Sequence, residues 1–460
     1  MKRVAAFLMY LTMLCLCGCR SGGSGESSGS GGSKSEAAVS EPAEQEPLRV
    51  FIDVEFGSNV FISVQEFLRD YEAETAKGGK TKYKSFQTVI EDLGGPEDME
   101  IEIPPKHGDE RDTYLTALRT EMMAGKGPDV FVCLSGFGAH YFENDTGFCF
   151  EESLFRFPQQ AMERNMFLPL DDYIEKAQFM EWDKLTPIVM EAGKNEHGQL
   201  LLPMTYTMPL GYYRSADVEY RLEDTSLTWD DMLSGGPETL LQAANISESH
   251  QSAALAPIAD YEKDQLALTE EELLEYVTSR MDARGRLGEM DLPECSNGLL
   301  HPNNWFDEEN GASNELTLVP VFSRSGGYYA VITSFAGINV NTKRPDDAFF
   351  VVDYIMSKDC QQSMLYTHML TGNAVPVMEG LMSGRGNGVS DGDGSNVYMS
   401  KNLYPEFVKL REGISGADFY TPLDRALYDM TLEIYNNPDK PLKDLVHKAY
   451  MNMSMELAES

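Results

Sequence analysis

The chain has 460 residues and a formal net charge of −37, with 37 Lys and Arg against 74 Asp and Glu. Such an excess of negative charge repels nucleic acid and anionic lipid, which excludes functions that rest on phosphate contacts. Hydrophobic residues make up 42% of the chain, enough for more than one core, since single cores stop growing near about 250 to 300 residues.

Met1-Lys2-Arg3 precedes an apolar run from Val4 to Gly18, a charged start and short apolar core of the kind that directs secretion. The run is too short to span a bilayer comfortably. It ends in Leu16-Cys17-Gly18-Cys19, which resembles the lipobox of bacterial lipoproteins and implies cleavage before Cys19 and a lipid on its thiol. Residues 20–46 are Gly, Ser, Glu, Ala and Pro with hardly an apolar side chain, a composition that cannot bury enough surface to fold. The expectation is a signal peptide over 1–18, a disordered tether over 19–46 and a folded body outside the membrane. Beyond the tether lie Cys133, Cys149, Cys295 and Cys360. No CxxC pair or nearby His points to zinc, so buried free thiols are expected, and a Cys133–Cys149 disulfide stays open as the alternative.

Along the folded body, Leu48 to Phe56 alternates and reads as a first strand, and Phe61, Val64, Leu68 and Tyr71 share one face of a helix. Met99 to Ile103 reads as a second strand stopped by Pro104-Pro105, and a helix over 109–124 presents Leu115, Leu118 and Met122 inward. That helix runs into Gly125-Lys126-Gly127-Pro128-Asp129-Val130-Phe131-Val132. Glycines there can take the positive φ that stops a helix, Pro128 cannot continue one, and the β-branched and aromatic residues start a strand. Strand and helix alternate as in a mostly parallel sheet. The strand from Val130 reads as an edge strand, and ligands in open α/β sheets lie outside the carboxyl ends of strands. The following Ser135-Gly136-Phe137 reads equally as a ligand-facing turn or a plain Gly-rich connection.

Farther on, Leu168 to Tyr173 starts a helix with an Asp cap, and Gly198 to Met208 is extended. Thr269-Glu270-Glu271-Glu272 is a capping box opening a helix, and a helix from Arg344 has Ala348, Val352 and Ile355 on its buried face, with Asn341 or Thr342 helping to start it. Segments 403–410, 423–435 and 442–457 are helical by periodicity.

The Gly-x-Gly-Pro-Asp-Val turn, Pro169-Leu170-Asp171-Asp172-Tyr173, Tyr213-Arg214, Leu227-Thr228-Trp229-Asp230-Asp231-Met232, Ser334-Phe335-Ala336-Gly337-Ile338-Asn339 and Gly372-Asn373-Ala374-Val375-Pro376 together resemble the extracellular solute-binding proteins of ABC importers. The similar group is family 1, the sugar-binding, maltose-binding-protein-like lipoproteins, although the family's Tyr-Asn is Tyr213-Arg214 here. The resemblance implies an α/β, two-lobe periplasmic-binding-protein-like fold of type II whose lobes are joined by three hinge crossings. It implies a first lobe over 47–205 and 336–372 and a second over 206–335 and 373–460. It also implies a monomer without cofactor, lipid-anchored on the extracellular face, that passes a mono- or oligosaccharide to ABC permease subunits.

By the motif matches, Ser135, Gly136 and Phe137 would form one wall of the cleft, with Tyr206 and Thr207 from one crossing and Tyr329 and Ser334 from another. Trp305, in a polar Asn/Asp setting, is a stacking candidate. Trp229 and Trp182 read as helix packing. The run 391–396 lacks the Gly and Glu of a calcium loop and reads as a surface loop. No GxSxG, HExxH or Walker sequence occurs, so no enzyme is expected; a cell-surface glycan-acting enzyme and a ligand sensor without transport stay open as alternatives.

Overall fold

The computed structural model describes residues 46–53, 86–105, 108–135, 139–143, 147–234, 237–245, 250–288, 290, 292–293, 295–300, 315–361, 374–381, 399 and 401–459. The leader, the tether with Cys19, the expected helix through Phe61 and Tyr71, and the run 391–396 lie outside the described residues. From Pro47 onward the chain forms one compact unit.

Strands β1 (Leu48–Ile52), β2 (Met99–Glu102) and β3 (Val130–Leu134) and helix α2 (Gly108–Met123) take the places the pattern predicts, with a further helix α1 (Phe86–Asp92) ahead of β2. The joint between α2 and β3 works as its residues require. Gly125 has φ 73° and Gly127 φ 101°, and a Cβ on Gly127 would lie 2.8 Å from Met122 Cγ. Asp129 then ties the turn to its surroundings: its carboxylate accepts from Arg49 N at 3.0 Å and from the Thr342 hydroxyl at 2.6 Å. The Asn339 amide donates to the carbonyls of Lys126 and Pro128.

The chain continues through β4 (Leu201–Thr207), β5 (Pro209–Arg214), β6 (Cys295–Leu299), β7 (Leu316–Pro320), β8 (Tyr329–Ile338), β9 (Val375–Pro376) and β10 (Gly416–Phe419). One sheet has seven strands in the order β9-β4-β8-β3-β1-β2, with β10 also on β8; a second has three, β6-β5-β7. In the larger sheet β1 is parallel to β2 and β3, whereas β8 is antiparallel to both β3 and β4. The sheet is therefore mixed rather than mostly parallel. Strand β3 is interior, not an edge, and all five of its residues are buried, as two-sided burial of a continuous apolar run demands.

The chain leaves the larger sheet at Met208, between β4 and β5, and re-enters it between β7 and β8. Helices after β5 include α3 (Trp229–Leu233), α4 (Glu270–Leu287), α5 (Pro345–Ile355), α6 (Tyr404–Glu412), α7 (Pro422–Asn436) and α8 (Leu442–Glu459); α6 packs on β7 of the smaller sheet, α8 packs on α4 and α7, and α5 follows β8. The expected capping box at Thr269 forms, and two others cap α3 through Thr228 and Asp231 and α7 through Thr421 and Asp424. Ala348, Val352 and Ile355 are buried on α5. Phe131, Phe155 and Phe167 fill the core of the larger sheet with edge-on and tilted contacts at 4.9 to 6.1 Å.

Several local readings are decided by the structure. Asp171 does not cap its short helix; its carboxylate accepts from Gln199 N at 2.9 Å instead. The cap position of α5 is Arg344, whose N–H donates to Thr342 Oγ1 at 3.0 Å. Trp229 is core, with its indole N–H donating to Ser279 Oγ at 3.0 Å, but Trp182 stands on a single 3-10 turn and is 37% exposed. Cys133 and Cys360 are buried thiols and Cys295 is a half-buried one, and none of the three is in a disulfide.

Candidate functional site

Strands β1 and β3 both end at the edge of the larger sheet where the chain crosses toward β5. At the end of β1 is Asp53, fully buried, with Arg111 of α2 paired to it through both guanidinium ends at 3.0 and 2.6 Å. Arg111 also donates to the carbonyls of Glu152 and Pro105. The charge at this edge is thus neutralised inside the protein. Next to it, burial pushes the Cys133 thiol well above its ordinary value, which keeps it neutral and unreactive.

At the end of β3, the Ser135 N–H donates to Thr333 O at 2.9 Å and its hydroxyl donates to Tyr420 O at 2.8 Å. The register between β8 and β4 shifts at Ser334. Such bulges re-aim side chains, and here three hydroxyls gather: Thr205 Oγ1 lies 2.9 Å from Thr333 Oγ1 and 2.5 Å from Ser334 Oγ. One step along β4, Tyr206 is buried, which pushes its phenol upward. The Thr207 hydroxyl donates to Leu300 O at 2.7 Å. Tyr329 is half-buried against Ala253, Val331 and Tyr420. Its ring requires the glycine at 416, because a Cβ there would lie 2.5 Å from Tyr329 Cε1.

Of the residues expected from sequence, Ser135, Tyr206, Thr207 and Ser334 come together at this edge and are buried, with the hydroxyls of Ser135, Thr207 and Ser334 engaged by protein groups. Tyr329 joins them from the start of β8. Gly136, Phe137 and Trp305 lie outside the described residues.

Sequence reasoning missed a buried polar cluster beside Tyr420. The His250 ring stacks on Tyr420 at 4.8 Å. Asp424 accepts from the Ser252 hydroxyl and from Thr421 N, and Gln159 Nε2 donates to Asp418 at 3.1 Å. Burial pushes the Asp418 carboxyl up to about 6 and the Asp424 carboxyl up to about 7. The members come from distant segments, so no local spacing betrays them; the one visible signal was the capping box at Thr421. Among the described residues no group of three or more His, Cys, Asp and Glu is placed to hold a metal ion.

No family model matches the sequence, and no curated protein matches it. Solved structures do. One described as an extracellular solute-binding protein family 1 from Alicyclobacillus acidocaldarius is 12% identical with a TM-score of 0.50, covering 90% of this chain and 99% of that chain. The fold is that of an extracellular solute-binding protein. A periplasmic oligogalacturonide binding protein from Yersinia enterocolitica is 12% identical with a TM-score of 0.49, covering 89% of this chain and 99% of that one. The galacto-N-biose-/lacto-N-biose I-binding protein of an ABC transporter from Bifidobacterium longum is 10% identical with a TM-score of 0.47, covering 90% and 98%. In the solute-binding-protein fold of this chain, no helix among the described residues is long and apolar enough to cross a membrane.

Proposed function

We propose that the protein is the lipid-anchored, extracellular capture component of an ABC importer and that its solute is a carbohydrate. The observation that carries this reading is the solute-binding fold spanning 90% of the chain. The crossing of the chain between two sheets at the carboxyl edge of β1 and β3 supports a cleft there. Lobes over 47–205 with 336–372, and over 206–335 with 373–460, would bend about three crossings and close on the solute. Ser135, Gly136, Phe137, Tyr206, Thr207, Tyr329, Ser334 and Trp305 would line that cleft. Hydroxyls now bonded to protein groups would turn to the sugar when the lobes part, and aromatic faces would stack on it.

The test is a thermal-shift screen of the purified protein against mono- and oligosaccharides, amino acids and peptides. A true solute at about 100 times its Kd stabilises by about 2.7 kcal/mol, a shift of several degrees. A shift with a peptide and none with any sugar would overturn the carbohydrate reading, and hydrolysis of a bound glycan would overturn the binding-only one. Anchoring is checked separately: fatty-acid labelling in cells is expected in the wild type and lost in Cys19→Ala.

A further inference from the structure

A pocket that the solute-binding reading does not use opens beside Trp182. It encloses about 590 Å³ and is lined by Trp182, by the carboxylates of Asp171, Glu175, Asp183 and Glu191, and by one cation, Lys194. Gln199, on its wall, lies eight residues before Thr207 along an extended stretch. At about 3.3 Å per residue that separates the pocket from the carboxyl edge by about 26 Å.

Three observations define what fits. Trp182 is 37% exposed and lines the pocket together with buried Leu185 and Met190, so its indole is open to a ligand rather than packed in a core. Its face attracts cations. The carboxylates outnumber Lys194 by four to one, so the charge complement is positive. They do not converge, since no group of acidic side chains among the described residues could hold a metal ion; the fit is to a cation with several separated N–H donors, as in guanidinium. Most of the lining side chains are exposed. A free small molecule is usually buried over most of its surface, whereas this open shape suits a side chain presented by a larger body.

The walls are fixed in advance. Asp171 is held by Gln199 N, and Gly198 is obligatory because a Cβ there would lie 2.0 Å from Asp171 Oδ2. The Gln199 amide is itself fixed by the carbonyls of Met190 and Leu201 at 2.9 and 2.6 Å. The internal ion pairs are loose: Asp183 is 3.5 Å from Lys184 and Glu191 is 3.8 Å from Lys194. Exposed pairs of this kind contribute little and exchange readily.

We propose that this pocket receives an arginine or lysine side chain from a basic segment of a partner protein, with the cation over Trp182 and its donors shared among the surrounding carboxylates. The proposal does not depend on the identity of the solute.

The test is calorimetric titration with acetyl-Arg-Ala-Arg-amide at about 0.15 M salt, where the Debye length is about 8 Å. Because the whole chain is acidic, variants decide the outcome. Trp182→Ala and the double variant Asp183→Asn/Glu191→Gln are each expected to weaken binding by about tenfold. Glu271→Gln/Glu275→Gln, which removes two exposed charges from α4, should leave it within about twofold. Equal weakening by both double variants, or no effect of Trp182→Ala, would show diffuse attraction and overturn the proposal. Binding of a neutral oligosaccharide that is lost in Trp182→Ala would also overturn it, making the pocket a sugar site.

Discussion

Among the carboxylates withdrawn from solvent in the described residues, Asp53 on one side and Asp418 and Asp424 on the other are held in opposite ways. Asp53 has a guanidinium against both oxygens, with Arg111 further fixed by two carbonyls. Asp418 and Asp424 have neutral partners: an amide from Gln159, and a hydroxyl and a backbone N–H from Ser252 and Thr421. The difference separates a structural tie from a group that titrates. Burial without a cation raises a carboxyl's pKa, so Asp418 and Asp424 bind protons near neutrality, while the Asp53–Arg111 pair is a fixed charge contact at the end of β1.

Breaking the first group should have the largest effect. Arg111→Met leaves Asp53 buried without its cation and is expected to cost about 3–5 kcal/mol, whereas Asp53→Leu/Arg111→Met should recover much of that loss. Denaturant melts of the two variants check this. No recovery in the double variant would mean that the guanidinium's bonds to Glu152 and Pro105, rather than the charge pair, hold α2.

The second group predicts a pH dependence with a definite sign. For a carboxyl whose folded pKa is raised, the native state holds more protons than the unfolded one between the two values, so stability falls as pH rises through that window. For Asp418 and Asp424 the window runs from the ordinary carboxyl value of 3.8 to about 6 and about 7. Melting temperature should therefore rise as pH is lowered from 8 to 5. Asp98 and Glu121, held low chiefly by hydrogen bonds from Arg344 and Arg49, act in the opposite sense and lose their contribution at still lower pH. Asp424→Asn keeps a neutral side chain at the site and should flatten the rise; a melting profile of unchanged slope would contradict this.

A smaller effect sharpens the same contrast. Gln159→Leu removes the N–H that faces Asp418 and should cost about 1–3 kcal/mol, more at pH 8, where that carboxyl is ionised, than at pH 5. Equal losses at the two pH values would mean that Asp418 does not titrate in this range.

How much of this was legible follows from how local each signal is. The α2–β3 joint could be read because Gly125, Gly127 and Pro128 constrain their own backbone, and Asp129 announces the turn. The helices after residue 400 and the capping box at Thr269 could be read for the same reason. The smaller sheet could not: β6 is Cys295-Ser-Asn-Gly-Leu299, with no apolar alternation, and it is a strand only because it pairs with β5. The role of Arg111 could not be read from local spacing, since its partner is 58 residues away. Trp182 looked like core because most indoles are, and nothing in its sequence neighbourhood shows that its supporting helix is a single turn. At the candidate site, sequence marked Ser135, Tyr206, Thr207 and Ser334 but could not show that these residues are buried at the sheet edge.

Under the proposed function, solute binds at the carboxyl edge of the larger sheet. Amide hydrogen exchange of the protein with and without the sugar found by thermal shift tests it most directly. Added protection is expected at Ser135 and across Thr205 to Thr207, with none over Trp182 to Lys194. Protection confined to Trp182 to Lys194, with Ser135 and Thr205 to Thr207 unchanged, would contradict it.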